Sequence, residues 1–195
     1  MVYQQAAAAI ARAYNATIRD LTETIPIDAV AHVAELLFEV THAGHSIYVF
    51  GNGGSAATAD HMSCDLTKNT RVPGAPAVRC ISLASAMAAF SAFGNDEGYD
   101  QVFAGPLRAL GRPGDLALAI SASGNSPNVL EALRVARELR MHTAALLGFA
   151  GGHAFALADV PVLVASNSVP HIEDAHLMIN HMLTECVRTL LQQHV

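Results

Sequence analysis

A glycine-rich turn joins an apolar run to a helical segment near residue 50, and this junction constrains the fold more than any other feature. The run Ser46–Phe50 is rich in β-branched and aromatic residues, and Gly51-Asn52-Gly53-Gly54-Ser55 (the glycine turn) follows it at once. Glycines let the backbone approach a ligand closely and adopt a positive φ. The N-terminus of the following helix adds unpaired N–H groups and a favourable dipole. The junction therefore indicates an α/β protein that binds an anion at the end of a strand.

Apolar runs alternate with helical periodicity along most of the chain, which is typical of a parallel sheet covered by helices on both faces. The sequence predicts a three-layer α/β sandwich around a five-stranded parallel sheet. We expect one domain over residues 1–195, in which N-terminal helices occupy 1–43 as a helical arm, and the sheet with its flanking helices occupies 44–195. The predicted strands are Ser46–Phe50, Val78–Ser82, Leu116–Ile120, Thr143–Gly148 and Val160–Val164.

The predicted helices are amphipathic segments bounded by glycine, proline and polar residues. A turn is predicted at Asn95-Asp96-Glu97-Gly98, and a short helix after Gly151-Gly152. The longer helices are predicted over residues 3–20, 28–42, 84–93, 99–110, 127–139 and 171–192, and one more leads from the glycine turn to about Leu66.

Composition and charge exclude several classes of function. The net charge is −6 and no basic cluster is present, so direct binding to nucleic acid is not expected. No apolar run reaches the length of a membrane span, and no membrane partner is expected. Three cysteines without a CxxC pair fit a reducing compartment, so we expect a cytoplasmic protein. With 52% hydrophobic and 14% charged residues, the chain is also expected to bury apolar surface in an oligomer.

A second polar turn, Ser121-Ala122-Ser123-Gly124-Asn125-Ser126 (the serine turn), follows the third predicted strand. Ser126 is placed to cap the next helix, and ordinary capping or turn chemistry would explain any single serine. Three serines at the same sheet edge as the glycine turn favour a phosphate site, because hydroxyls donate hydrogen bonds without adding charge. The glycine turn is neither GxGxxG nor a P-loop, so neither a dinucleotide nor a nucleoside triphosphate is indicated.

Two carboxylates and two histidines are candidates for chemistry beside that phosphate. His61 and Asp65 are four residues apart and share a helix face, although a solvated surface pair is the alternative. Glu173 and His181 lie two turns apart on nearly one face of an otherwise apolar helix. Together these four side chains can bind a divalent metal, or act as acid and base. His176 on the same helix is either such a group or a core or interface histidine.

The chain resembles the SIS (sugar isomerase) domain and, within it, the phosphoheptose isomerase family. The resemblance is carried by Asn52-Gly53-Gly54-Ser55 with His61, by Gly94-Asn95-Asp96-Glu97-Gly98-Tyr99, and by the serine turn. It covers nearly the whole chain, including the N-terminal helices. It implies the flavodoxin-like SIS fold and an aldose–ketose isomerase that converts sedoheptulose 7-phosphate to D-glycero-D-manno-heptose 7-phosphate through an enediol. It also implies a homotetramer with sites at subunit contacts.

The resemblance assigns roles to individual residues. His61, Asp65, Glu173 and His181 match the positions that hold zinc in the family's isomerases. We expect Asp65 to act as the catalytic base and His181 as its acid/base partner. The residues expected to bind the sugar phosphate or shape its pocket are Asn52, Gly53, Gly54, Ser55, Asn95, Asp96, Ser121, Ala122, Ser123, Ser126 and Glu173.

Three places depart from the family's usual pattern. The family usually has Glu where this chain has Asp65, Gln where it has Glu173, and Gly-Arg where it has Lys68-Asn69. A base at Asp65 would sit about 1.5 Å farther back than a glutamate, which matters where positioning dominates catalysis. The charge of Glu173 would strengthen metal binding.

Two other functions are open at this point. One is a non-catalytic SIS module that binds a sugar phosphate or a protein partner, such as a bacterial replication initiator. The other is an isomerase for a different phosphosugar. The joint presence of His61, Asp65 and His181 favours catalysis over binding alone, since these side chains supply acid and base groups.

Overall fold

The structure, a computed structural model, describes residues 2–195. Met1, which the predicted helical arm includes, lies outside the described residues. The strands are β1 Ser46–Gly51, β2 Arg79–Ser82, β3 Leu116–Ser121, β4 His142–Leu147 and β5 Val160–Leu163. The helices are α1 Val2–Thr22, α2 Ile27–His42, α3 Gly54–Lys68, α4 Met87–Asp96, α5 Gln101–Leu110, α6 Pro127–Glu138, α7 Ala154–Leu157 and α8 Val169–Gln193.

The five strands form one sheet in the order β2-β1-β3-β4-β5, and every neighbouring pair is parallel. The predicted five-stranded parallel sheet is therefore confirmed. The chain runs outward from β1 to β2 and then returns to the other side of β1, where β3 pairs with it and Gly51 lies opposite Ile120. The topological switch point thus falls between β1 and β3, and parallel sheets bind their ligands at such a point.

Alternate side chains of the strands divide the core into two layers. In β1, Ile47 and Val49 belong to the cluster packed by α2, α3 and α8, while Tyr48 and Phe50 belong to the cluster packed by α5, α6 and α7. This alternation follows from the two-residue repeat of a strand. Because both faces are apolar, helices must cover both, and the predicted three-layer sandwich is confirmed.

The two N-terminal helices differ in how they pack. Five residues of α2 belong to the first cluster, so this helix is a full member of one layer. Helix α1 instead leaves most of its length exposed, with Tyr3 at 90% and Ile10 at 71% of their maximum exposure. Among the helices of residues 2–195, none combines the length and the apolar character needed to cross a membrane.

The turn predicted over Asn95-Asp96-Glu97-Gly98 begins later than expected. Helix α4 continues through Asp96, so the prediction is wrong for Asn95 and Asp96. The backbone N–H groups of Glu97 and Gly98 both donate to the carbonyl oxygen of Phe93, which closes the last turn of the helix. Gly98 then reverses the chain at a φ of 111°, a conformation that favours glycine.

His176 on α8 is fully buried in the core. Of the two alternatives from the sequence, it is therefore the core histidine. Burial lowers the pKa of His176 to about 4, because an imidazolium in the apolar interior is poorly solvated. The neighbouring Leu147 backbone acts in the opposite direction and only partly offsets this effect.

The pKa of His176 predicts that the protein loses stability in mild acid. Between about pH 6.5 and pH 4 the unfolded state binds a proton at this site that the native state does not, so stability falls as the pH falls. We expect the loss to reach about 3 kcal/mol relative to His176→Gln, which does not titrate. Urea unfolding at pH 7.5, 5.5 and 4.5 measures it, with His32→Gln, a change at an exposed position of α2, as the control. Parallel pH profiles for wild type and His176→Gln would contradict the assignment.

Candidate active site

The glycine turn and the serine turn lie side by side, because β1 and β3 are neighbours in the sheet and both turns leave from the carboxyl ends of their strands. Together with the start of α8 they enclose a cavity of about 230 Å³ (the serine cavity). Its polar walls include most of the residues expected to bind a phosphate. The lining residues are Asn52, Ser55, Ile120, Ser121, Ala122, Ser123, Ser126, Phe149, Val169 and Glu173.

Two glycines give the glycine turn its shape, and neither can readily be replaced. A Cβ on Gly51 would stand 2.5 Å from the carbonyl oxygen of Ile120 and 2.7 Å from Cβ of Ser55, so only glycine fits between β3 and α3. Gly53 precedes α3 at a φ of 56°, a left-handed conformation. The chain can then begin α3 at Gly54 directly after the strand, with Ser55 buried at the cavity wall.

A side-chain amide pair joins the glycine turn to the start of α6, the helix that follows the serine turn, and sequence reasoning missed one of its members. Asn52 Nδ2 donates to Asn128 Oδ1 at 2.9 Å, and Asn128 Nδ2 donates to Asn52 Oδ1 at 2.8 Å. The hydroxyl of Tyr99 also donates to Asn52 Oδ1, at 3.0 Å. Tyr99 belongs to a motif that carries the family resemblance. Asn128 follows Pro127, and the sequence pattern there indicates only the start of a helix.

The serine turn offers its hydroxyls to the cavity. Ser121 Oγ accepts a hydrogen bond from the backbone N–H of Gly124 at 3.1 Å, and Ser123 Oγ accepts one from Asn125 at 3.2 Å. Each hydroxyl hydrogen is left available for a ligand. Ser126 occupies the N-cap position of α6, but its side chain makes no capping hydrogen bond, so the capping prediction is wrong for the hydroxyl. Ser126 lines the cavity instead.

A cluster of two histidines and one carboxylate (the His–Asp cluster) lies where α3 meets α8. Asp65 Oδ2 is 3.2 Å from His61 Nε2 and 3.7 Å from His181 Nε2, and the two rings meet edge-on with centroids 5.2 Å apart. Asp65 is buried while both histidines are exposed. One ligand atom from each residue lies within 4.8 Å of the others, close enough to share one metal ion. The structure therefore unites three of the four residues predicted to bind metal.

Glu173 lies away from the His–Asp cluster, in the serine cavity. Its carboxylate packs against Gly54, where a Cβ would overlap it. The structure thus puts a negative charge beside the N-terminus of α3 and does not include Glu173 in the metal-binding group. Asn95 and Asp96 also lie apart, exposed at the end of α4, where Asn95 Nδ2 donates to Asp96 Oδ1 at 2.7 Å. Neither of these two side chains lines the serine cavity in the described chain.

Comparison with known proteins agrees with this architecture. The family model for the SIS domain matches residues 11–148. The phosphoheptose isomerase of Trichlorobacter lovleyi is 39% identical over 160 residues, which is 81% of this chain and 80% of that protein. The phosphoheptose isomerase of Chlorobaculum parvum is 39% identical over 180 residues, which is 91% of this chain and 86% of that protein.

Solved structures show the same fold. Phosphoheptose isomerase GmhA from Neisseria gonorrhoeae superposes with a TM-score of 0.84 at 33% identity, covering 97% of this chain and 100% of that one. A phosphoheptose isomerase from Francisella tularensis gives a TM-score of 0.85 at 28% identity, with 97% and 99% coverage. The chain belongs to the SIS domain family and, within it, to the phosphoheptose isomerases, and it is an enzyme of the aldose–ketose isomerase class.

The position of Glu173 predicts that its charge weakens anion binding in the serine cavity. We expect Glu173→Gln to bind inorganic phosphate about tenfold more tightly, because it removes a like charge from the wall beside the serine hydroxyls. Isothermal titration with phosphate at pH 8 measures the change. Asp174→Asn is the matched control, since it removes the same charge at the next residue. The Asp174 side chain is exposed and accepts a hydrogen bond from Tyr14. Equal or weaker phosphate affinity in Glu173→Gln would refute the prediction.

Proposed function

We propose that this chain converts sedoheptulose 7-phosphate to D-glycero-D-manno-heptose 7-phosphate. The observation that carries the proposal is that one helix, α3, joins the serine cavity to the His–Asp cluster. Ser55 lines the cavity and His61 lies six residues farther along, a rise of about 9 Å. An extended seven-carbon chain has a comparable length between its phosphate and its first two carbons. A substrate held by its phosphate would therefore present C1 and C2 to the cluster.

The serine hydroxyls and the N-terminus of α3 bind the phosphate in this proposal. They are remote from the reacting carbons, so their binding energy orients the sugar without taking part in the chemistry. Ser121, Ser123 and Ser126 supply neutral donors, which suits a product that must leave again. Asn52 and Ser55 complete this wall, and Gly53, Gly54 and Ala122 contribute backbone.

The His–Asp cluster carries out the proton transfer in this proposal. Asp65 takes a proton from C1 of the ketose, that proton exchanges with solvent at the carboxyl group, and Asp65 then gives a proton to C2, so the sugar passes through an enediol. His181 gives a proton to the oxygen on C2 and accepts the one that leaves the hydroxyl on C1. The substrate and product are isomers, and both groups end the cycle in their starting protonation states. The buried position of Asp65 between two imidazoles is what supports these roles.

The His–Asp cluster also suits a divalent metal such as zinc. Two imidazole nitrogens and one carboxylate oxygen are ligand types that zinc prefers, and a catalytic zinc site keeps a further position open. His61, Asp65 and His181 would hold the ion, which when bound would polarise the oxygens on C1 and C2. Glu173 is left out of this ligand set because its carboxylate lies at Gly54.

We also propose that the chain works as a homotetramer in the cytoplasm. All three cysteines are free, which fits a reducing compartment. Large apolar side chains are exposed on α1 and α4, among them Met87 at 67%, and none of the ten residues of α4 is buried. Such surface in a single chain favours association. Asn95 and Asp96 lie on α4, so packing of subunits on this helix would bring them to an interface.

The direct test is incubation of the purified protein with sedoheptulose 7-phosphate, with and without added zinc. We expect aldoheptose phosphate to form, and Asp65→Asn to lower kcat by about a thousandfold because general-base catalysis contributes that much. Asp60→Asn is the matched control on α3, since Asp60 accepts a hydrogen bond from Ser82 and lies outside the cluster. A protein that binds the sugar phosphate without converting it would be the binding module, not the isomerase.

A further inference from the structure

We propose that two asparagines, Asn69 and Asn180, are positioning residues that hold the carboxylate of Asp65 in one orientation. Asn69 Nδ2 donates to Asp65 Oδ1 at 2.9 Å, and Asn180 Nδ2 donates to Asp65 Oδ2 at 3.0 Å. The amides come from different helices, since Asn69 is the C-cap of α3 and Asn180 lies in the middle of α8. We call this pair the amide clamp. Its catalytic consequence rests on the proposed function, whereas its geometry does not.

The amide clamp makes the two oxygens of Asp65 unequal. Oδ1 is held by Asn69, while Oδ2 faces Asn180 together with His61 and His181. Rotation of the carboxylate about its Cβ–Cγ bond would break both amide hydrogen bonds at once. Oδ2 is therefore the oxygen that takes the proton in the proposed reaction, and it is the oxygen of Asp65 that would hold a metal.

Burial of the Asn180 side chain costs free energy, and its hydrogen bond to Asp65 is what offsets that cost. The side chain is fully buried, and its Oδ1 has no hydrogen-bond partner among residues 2–195. An unpaired carbonyl oxygen in the interior is unfavourable, and an apolar side chain of the same size would avoid it. Turning the amide over would place Oδ1 against the carboxylate of Asp65, where two acceptors repel. The amide is thus oriented by Asp65 and in turn orients Asp65.

The neutrality of the clamp matters for the charge of Asp65. An amide fixes the carboxylate by hydrogen bonding without adding a positive charge beside it. The full negative charge of Asp65 then remains available to the two imidazoles and to a cation. Since the position of a base decides how well it works, loss of the orientation of Asp65 should be costly.

The test compares Asn180→Leu and Asn69→Ala with wild type in two measurements. We expect each variant to lower kcat for sedoheptulose 7-phosphate by 10- to 100-fold with little change in KM, in line with outer-shell partners of other sites. We also expect Co²⁺, titrated into metal-free protein and followed by its visible spectrum, to bind 10- to 100-fold more weakly. Neither change is expected from a loss of packing alone.

Two control variants match the test variants in place and burial. Thr184→Val removes a buried hydroxyl one turn further along α8, which donates to the backbone carbonyl of Asn180 and does not contact Asp65. Lys68→Ala alters the exposed residue next to Asn69. Both controls should keep wild-type kcat and cobalt affinity.

The outcomes separate the clamp from the proposed function. Asn180→Leu and Asn69→Ala proteins with wild-type kcat and cobalt affinity would overturn the clamp. A wild type that binds cobalt but does not convert the sugar would remove the proposed function, while weaker cobalt binding in the variants would still support the clamp. If Asn180→Leu does not fold, Asn69→Ala decides alone, since Asn69 is exposed. Wild-type protein that neither binds cobalt nor turns over would overturn both proposals.

Discussion

The contact between the end of β1 and the end of β3 is the constraint on which the site depends. Gly51 lies against the carbonyl of Ile120 with no room for a side chain, so the two strands end side by side. Both polar turns then leave the sheet at one edge, and the Asn52–Asn128 amide pair joins the glycine turn to the start of α6. Because α3 begins immediately after the glycine turn, its direction is fixed as well. The positions of His61 and Asp65 follow from that direction.

Helix α8, which lies in the same layer as α3, completes the site. It packs along α2 and α3 through its apolar face, and three of its polar side chains serve the two ends of the site. Glu173 reaches the serine cavity at Gly54, while Asn180 and His181 reach Asp65. Polar groups on an otherwise buried helix are costly unless they are paired. The pairing of Asn180 with Asp65 therefore ties the geometry of the His–Asp cluster to the packing of the core.

Much of this arrangement could be predicted from the sequence, because it depends on local patterns. The strands read as apolar runs, the glycine and serine turns mark their ends, and the parallel order puts those ends at one edge. What could not be predicted depends on contacts between distant segments. The reach of Glu173 to Gly54, and of Asn180 to Asp65, is set by how α8 crosses α3. The sequence predicts the end of α4 too early, because Asn95 and Asp96 are typical turn residues. The helix continues through both, and the chain turns at Gly98.

The central claim is that phosphate held in the serine cavity delivers the sugar carbons to Asp65. The most direct measurement follows deuterium from solvent into carbon-bound positions of sedoheptulose 7-phosphate and its product by NMR in D₂O. The account predicts deuterium at C2 of the aldose with wild type, and none with Asp65→Asn although that variant still binds inorganic phosphate. Undiminished exchange in Asp65→Asn, or no exchange in wild type supplied with zinc, would contradict it.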